Sequence, residues 1–469
     1  MLLSVECELP AVEKVSGKPL TQAKLSELWQ SLVDDGWKSE GIGVSRILEH
    51  SNSLAMKPEQ AITSDTGPTI ELAPSPAVTI QEIDRQTTDL RNLVVEKLKP
   101  LDGTILASGV HPVLGNSVDE YYKYRSPRKA YDYAITERGW SHNSILNVAS
   151  TQEVIDVPID KAVRMMRVMQ RLTGVSLFLF RNDPDLNNPD SESKFSVRPQ
   201  YWRSHVLSNA TFPSDQRKLW MPTQEMCNWE QYLSFLWDMN PMFLLGTKNN
   251  GLLYIPDHPN FWEYLINAPE EGWPGKTIFG DESVLVHPEF DHVVQTDWTY
   301  MGVARLRWKW NDTLPSIEDL VGARSSGSAA VEQFISENVQ KVMLEHRVNA
   351  TGMRGQEMAS LAFVTGLLSN FEEVENFVNS GRSYAFWQKL ALLAESQSIN
   401  ATLGHTSIPI LLLMLLEMSR VGLVSRGFGE EVYLDPIFER LGNMTSPSEL
   451  LLSAYGSGGV PKLLELSGY

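Results

Sequence analysis

The run Arg305-Leu306-Arg307-Trp308-Lys309-Trp310 alternates cation and apolar residue at every position. Successive side chains of a strand point to opposite faces, so this period of two demands a β-strand; a helix would scatter both classes around its axis. One face then carries Arg305, Arg307 and Lys309 and the other Leu306, Trp308 and Trp310. The tryptophan face needs a core to cover it. Like charges adjacent on the opposite face repel, and either water or a bound anion relieves that repulsion. A triphosphate lying there would also use the forked geometry of arginine.

The same period recurs near the N-terminus. Val5-Glu6-Cys7-Glu8-Leu9 alternates, and so does Thr69-Ile70-Glu71-Leu72 after the turn signal Thr66-Gly67-Pro68. Short strands are also expected over Thr104 to Ala107, Asn143 to Val157 and Gly302 to Trp310. Helical spacing appears between them, over Lys24 to Asp35 (Leu25, Leu28, Trp29, Leu32, Val33), Gln81 to Leu98 and Lys161 to Leu172. From Glu332 onward the pattern is mostly helical, with Leu361 to Leu368 and Ile408 to Val424 buried. The fold class that follows is α+β, with strands gathered in the first two thirds and helices dominating the last. Residues 1–330 form its sheet-containing catalytic core, and residues 331–469 a mainly helical C-terminal part on the same domain.

Charge and cysteine usage bound the function. With 40 Lys and Arg against 58 Asp and Glu, the chain carries a formal charge of −18, which opposes binding to nucleic acid or to an anionic membrane face. A local basic pocket for a small phosphate ligand remains open. Two cysteines, Cys7 and Cys227, exclude a disulfide framework and a thiolate zinc site. The first residues lack the basic and apolar regions of a signal peptide. The most apolar segment, Ile408 to Leu416, is about half the length of a bilayer span. A cytoplasmic setting without membrane partners is the simplest expectation.

Glu6 and Glu8 share one strand face, where they are either the solvated side of an antiparallel sheet or two hard oxygen ligands suited to Mg²⁺. Glu71 would add a third carboxylate if the fold brings it near. Acids holding metal beside phosphate-binding cations is the layout of phosphoryl transfer. No Walker loop, kinase glycine loop or Gly-x-Ser-x-Gly elbow is present. A second basic group, Arg198, Arg203, His205, Arg217 and Lys218, flanks Tyr201-Trp202. The cluster His287, Glu289, Asp291 and His292 has metal-ligand composition but not the i, i+4 spacing, and reads as structural.

Together these segments resemble the plant and proteobacterial branch of glutamate-cysteine ligase, within the glutamine-synthetase-like carboxylate-amine ligases. Val5-Glu6-Cys7-Glu8 is similar to the family's first strand with its Glu-x-Glu pair, and Gly67 to Leu72 to the strand carrying the next metal glutamate. Thr151-Gln152-Glu153-Val154-Ile155-Asp156 resembles its Thr-x-Gln-x-Asn-Leu-Asp strand. Trp202-Arg203-Ser204-His205-Val206 resembles Arg-Ser-His-Ile-Trp, and Trp229 to Tyr232, Asp238 to Phe243, Ser419 to Phe428 and Thr445 to Tyr455 follow in order.

The resemblance implies a curved, mainly antiparallel sheet with helices packed outside, a glutamine-synthetase-like fold holding ATP, Mg²⁺ and glutamate in its concave face. It implies a γ-glutamyl phosphate intermediate displaced by an amine, with cysteine as that amine, in a reaction of the glutathione-precursor type. Glu6, Glu8, Glu71 and Gln152 take the metal positions. Arg305, Arg307 and Lys309 take the nucleotide positions, while Arg203, Trp202 and Gln152 take those of the substrate. Arg203 and Lys309 take catalytic roles. One departure is expected: Arg307-Trp308-Lys309 stands where the family has Glu-x-Arg, so that a metal carboxylate becomes a cation. A binding protein without catalysis is the alternative that this departure leaves open, and Trp308, Trp310 and the aromatic-rich stretch Gly251 to Glu282 leave open a different amine acceptor.

Overall fold

The computed structural model describes residues 1–41, 43–47, 59–65, 67–115, 117–141, 147–188, 190–191, 194–206, 210–212, 215, 220–238, 244–246, 252–278, 283–296, 300 and 302–469. The alternating segments become strands of one sheet: β1 (Leu3–Glu13), β2 (Lys38–Glu40), β3 (Gly43–Ile47), β4 (Glu59–Ser64), β5 (Thr69–Ala73), β6 (Gly103–Ile105) and β7 (Thr151–Val157). A small second sheet holds β8 (Leu245–Gly246), β9 (Leu252–Tyr254), β10 (Trp273–Thr277) and β11 (Ser283–Val286). The main sheet is completed by β12 (Ala304–Trp310) and β13 (Val339–His346). Its order is β12-β13-β7-β1-β5-β4-β3-β2, with β6 also pairing β1, and the pairings among the described residues are antiparallel.

The two faces of this sheet differ as the alternation requires. Leu3, Val5, Cys7 and Leu9 of β1, Ile70 and Leu72 of β5, Ile155 of β7, Leu344 of β13 and Leu306, Trp308 and Trp310 of β12 all lie in one buried core. Trp308 meets Trp229 and Tyr232 edge-on at 5.9 and 6.0 Å, and Trp310 meets Phe290 at 4.8 Å. The helix Ile80–Leu98 covers the central strands with Ile83, Leu90, Val94 and Leu98, and starts where the Thr79 hydroxyl accepts from the Glu82 amide. The helices Ala162–Arg171 and Ala359–Ser369 cover β12, β13 and β7.

The structure adds to the sequence reading at three places. The boundary at residue 330 falls between β12 and β13, which pair along their lengths, so the sheet continues into the segment expected to be mainly helical. Val339, Val342, Met343 and Leu344 are spaced to suit a helix as readily as a strand, and long-range pairing with β7 and β12 decides. The apolar run Val175 to Phe180 lies in a buried helix, Thr173–Phe180. Finally, the helix that begins at Ile408 runs to Arg426, nineteen residues, and is by length and composition long enough to cross a membrane. One face of it is fixed inside the protein: a Cβ on Gly422 would stand 1.9 Å from the Gly366 carbonyl oxygen of the helix Ala359–Ser369.

Candidate active site

The polar face of the sheet forms one continuous row because of its register. Glu8 lies opposite Glu71, Glu6 opposite Gln152, and Glu345 between Val154 on β7 and Arg305 on β12. Cross-strand partners share a face, so acids from β5 and β1, an amide from β7, the Glu345 carboxylate of β13 and arginines of β12 follow one another across the strands. Above them is a cavity of about 230 Å³ lined by Glu6, Glu8, Asp65, Glu71, Arg128, Tyr131, Val148, Gln152, Arg198, Trp202, Arg305, Arg307 and Arg347. Tyr131 comes from the helix Lys129–Thr136, and Arg198 and Trp202 from the segment Arg198–Val206.

The acidic end is short of positive charge. Burial, and then the charge of Asp65, push the Glu8 carboxyl up to about 7. Burial together with Glu6, Asp65 and Glu8 raises Glu71 further above the usual carboxylate range, and burial and Glu345 raise Glu6 despite Arg307. Glu8 is fixed by its neighbours: one oxygen accepts from the Ser150 amide at 2.7 Å and hydroxyl at 2.9 Å, the other from the Gln152 amide at 2.8 Å. Asp65 faces Arg128 at 3.7 Å and accepts from Tyr131 at 3.4 Å.

The basic end is built around one carboxylate. Glu345 is fully buried, accepts from Arg305 through both oxygens at 2.8 and 3.0 Å, and also meets Arg307 at 2.7 Å and Arg347. Burial alone would raise its pKa, but Arg305, Arg347 and Arg307 outweigh burial and hold it well below the usual range. Arg347 also donates to the side-chain oxygen of Gln152, so that Gln152 joins the two ends of the cavity. Arg198 donates to the Arg347 carbonyl at 2.7 Å. Three guanidiniums over one buried carboxylate leave cationic surface for an anion above them.

Of the residues singled out from sequence, Glu6, Glu8, Glu71, Gln152, Trp202, Arg305 and Arg307 meet in this cavity. Arg203 lies elsewhere, in a two-point pair with Glu395 at 2.5 and 2.7 Å. Lys309 stands two residues beyond Arg307, opposite Lys341, outside the lining. Glu289 caps the helix Phe290–Val294, with His292 completing the cap and meeting Tyr264 at 2.9 Å, a structural role. The side chains of residues 204–206, and residues 143–146, 217–218, 239–243, 251 and 279–282, lie outside the described residues.

Asp65, Arg128, Tyr131, Glu345 and Arg347 join the site without having been read from sequence. The first three sit at the edges of elements, where no periodicity marks them; Glu345 is on the strand whose spacing suited a helix, and Arg347 directly follows that strand. Glu345-His346-Arg347 is a Glu-x-Arg sequence at the end of β13, so a carboxylate stands beside Arg307 of β12.

The acids suit a hard dication by type and by charge: burial and neighbouring carboxylates raise their pKa values, and a dication would relieve that repulsion. Among the described residues no three His, Cys, Asp or Glu side chains already stand gathered as a metal site. Glu8 is turned toward Ser150 and Gln152, and the Gln152 oxygen toward Arg347.

With this geometry in view, solved structures provide a comparison. Glutamate-cysteine ligase from Francisella tularensis, solved in complex with AMP, superposes with a TM-score of 0.52 at 13% identity, covering 99% of this chain and 87% of that one. The chain has the fold of that ligase. A bifunctional glutathione synthetase from Pasteurella multocida matches with a TM-score of 0.50 at 12% identity over 99% of this chain, which spans 50% of that enzyme's length. No family model and no curated protein matches the sequence. The likeness is therefore one of architecture, and it agrees with the α+β arrangement derived above.

Proposed function

We propose that this protein is an ATP-dependent carboxylate-amine ligase that joins the γ-carboxylate of glutamate to an amine, with cysteine as that amine. The observation that carries the reading is the division of one cavity into an acidic end (Glu6, Glu8, Glu71, Asp65) and an arginine end (Arg305, Arg307, Arg347). A metal-bound nucleotide is itself divided in this way. Its phosphates match the arginines and its cation the acids.

In this reading Arg305, Arg307 and Arg347 hold the phosphate oxygens, and Glu345 keeps the three guanidiniums aligned. Glu6, Glu8 and Glu71 would hold Mg²⁺, which when bound neutralises the transferring phosphoryl group. The glutamate carboxylate attacks the γ-phosphorus, the bond to the bridging oxygen breaks, and ADP leaves. The amine nitrogen then attacks the acyl carbon and phosphate departs, carrying one oxygen from the carboxylate. Tyr131 and Trp202 wall the cavity on the side away from the sheet, where they limit water that would hydrolyse the acyl phosphate.

Purified protein given ATP, Mg²⁺ and glutamate is expected to release ADP when an amine panel is supplied, fastest with cysteine. Turnover that is faster with a bulkier amine would reassign the acceptor. Nucleotide binding that ignores Mg²⁺, with no ADP from any amine, would favour the non-catalytic alternative. That second reading has its own support in the ungathered acids among the described residues and in Arg307, a cation 3.7 Å from the Glu6 carboxylate.

A further inference from the structure

The helix Ile408–Arg426 is apolar on both sides, but only one side is covered. Leu411, Leu412, Leu415, Leu416, Ser419, Gly422 and Leu423 are buried, with Ser419 and Gly422 against Gly366. Ile410, Leu413, Met414, Val421 and Val424 are exposed, Ile410 at 61% and Val421 and Val424 at 55% each. At 100° per residue the five fall within an arc of about 100°, a continuous stripe on the outer face of the helix. Scattered exposed apolar residues are ordinary; a stripe of this kind marks a contact surface.

The charges inside the stripe say what covers it. Glu417 and Arg420 lie on this outer face, paired with each other at 2.7 Å and both open to water. An antiparallel copy of the same helix, related by a two-fold axis between positions 418 and 419, brings Glu417 opposite the second copy's Arg420. The same register sets Leu413 opposite Val424, and the Glu417–Arg420 and Leu413–Val424 contacts each occur twice, as an isologous contact requires. A charged pair next to the axis of an apolar seam also penalises the parallel and shifted registers. A bilayer would take that ion pair out of water, a desolvation cost, and a chain of net charge −18 is repelled by an anionic one.

We infer that this face of Ile408–Arg426 docks a second copy of the chain through an antiparallel helix pair centred on Glu417 and Arg420. Sedimentation equilibrium on the full chain tests it. Wild type is expected to show a dimer whose population rises with concentration, and Val424→Lys to lose it while keeping its circular dichroism and thermal transition. Glu417→Arg and Arg420→Glu are each expected to lose the dimer, since each sets like charges across the axis. The double variant restores it, and the two single variants mixed together pair with each other.

A wild-type chain that stays monomeric up to its solubility limit overturns the inference. So does a dimer indifferent to Val424→Lys, or association of the monomer with phosphatidylcholine or phosphatidylglycerol vesicles in place of self-association. The outcome is independent of the ligase reading, because none of these residues lines the cavity.

Discussion

Glu345 shows how much one side chain decides at this site. It is the buried carboxylate shared by Arg305, Arg307 and Arg347, so Glu345→Gln leaves three like charges together without that counter-ion. The expected cost is about 3–5 kcal/mol of folding stability, read as a lower midpoint in urea unfolding. Arg347→Lys keeps the charge but cannot bond Glu345 and Gln152 as a guanidinium does. If Arg347 holds transferring phosphate, kcat falls roughly a hundredfold to a thousandfold while the melting temperature changes little. Glu8 gives a pH test. Its folded pKa of about 7 lies above its ordinary 4.5, so the stability it contributes is fully present below that ordinary value and is lost as pH rises through about 7. A dication at the acidic end restores what is lost. Mg²⁺ should therefore raise the melting temperature more at pH about 8 than at pH about 5; an equal shift at both would remove Glu8 from the metal set.

Among the elements, strands were legible where alternation carried charge, and illegible where it did not. Val5 to Leu9, Thr69 to Leu72 and Arg305 to Trp310 announced both their strands and the face that became the cavity. β13 did not, since Val339, Val342, Met343 and Leu344 group its apolar residues as a helix would. Its place between β7 and β12 is set by partners far away in sequence, which no local pattern contains. Glu345 and Arg347 were hidden with it. Arg203 and Lys309 illustrate the converse: residue type and neighbourhood suggested the site, and the fold turns them elsewhere. The helix pair Ala359–Ser369 and Ile408–Arg426 offers a prediction at this scale. Gly422→Ala drives a methyl into the Gly366 carbonyl, so the helices must separate, at about 1–3 kcal/mol. Thermal unfolding measures it, and an unchanged transition would mean the helices are not this close.

Across the whole molecule, the acidic chain and its arginine-lined cavity are two parts of one electrostatic arrangement. A net charge of −18 repels extended polyanions, while five arginines at Arg128, Arg198, Arg305, Arg307 and Arg347 concentrate positive charge inside one small volume beside four acids. Such an arrangement favours a small anion over a nucleic acid. The fold is shared with a solved ligase, and the proposed chemistry rests on the cavity itself. The most direct measurement follows one oxygen atom. Glutamate labelled with oxygen-18 in its γ-carboxylate is incubated with the protein, ATP, Mg²⁺ and cysteine, and the released phosphate is weighed by mass spectrometry. An acyl phosphate made in this cavity sends one labelled oxygen into each phosphate; ADP formed with unlabelled phosphate, or no ADP at all, would contradict it.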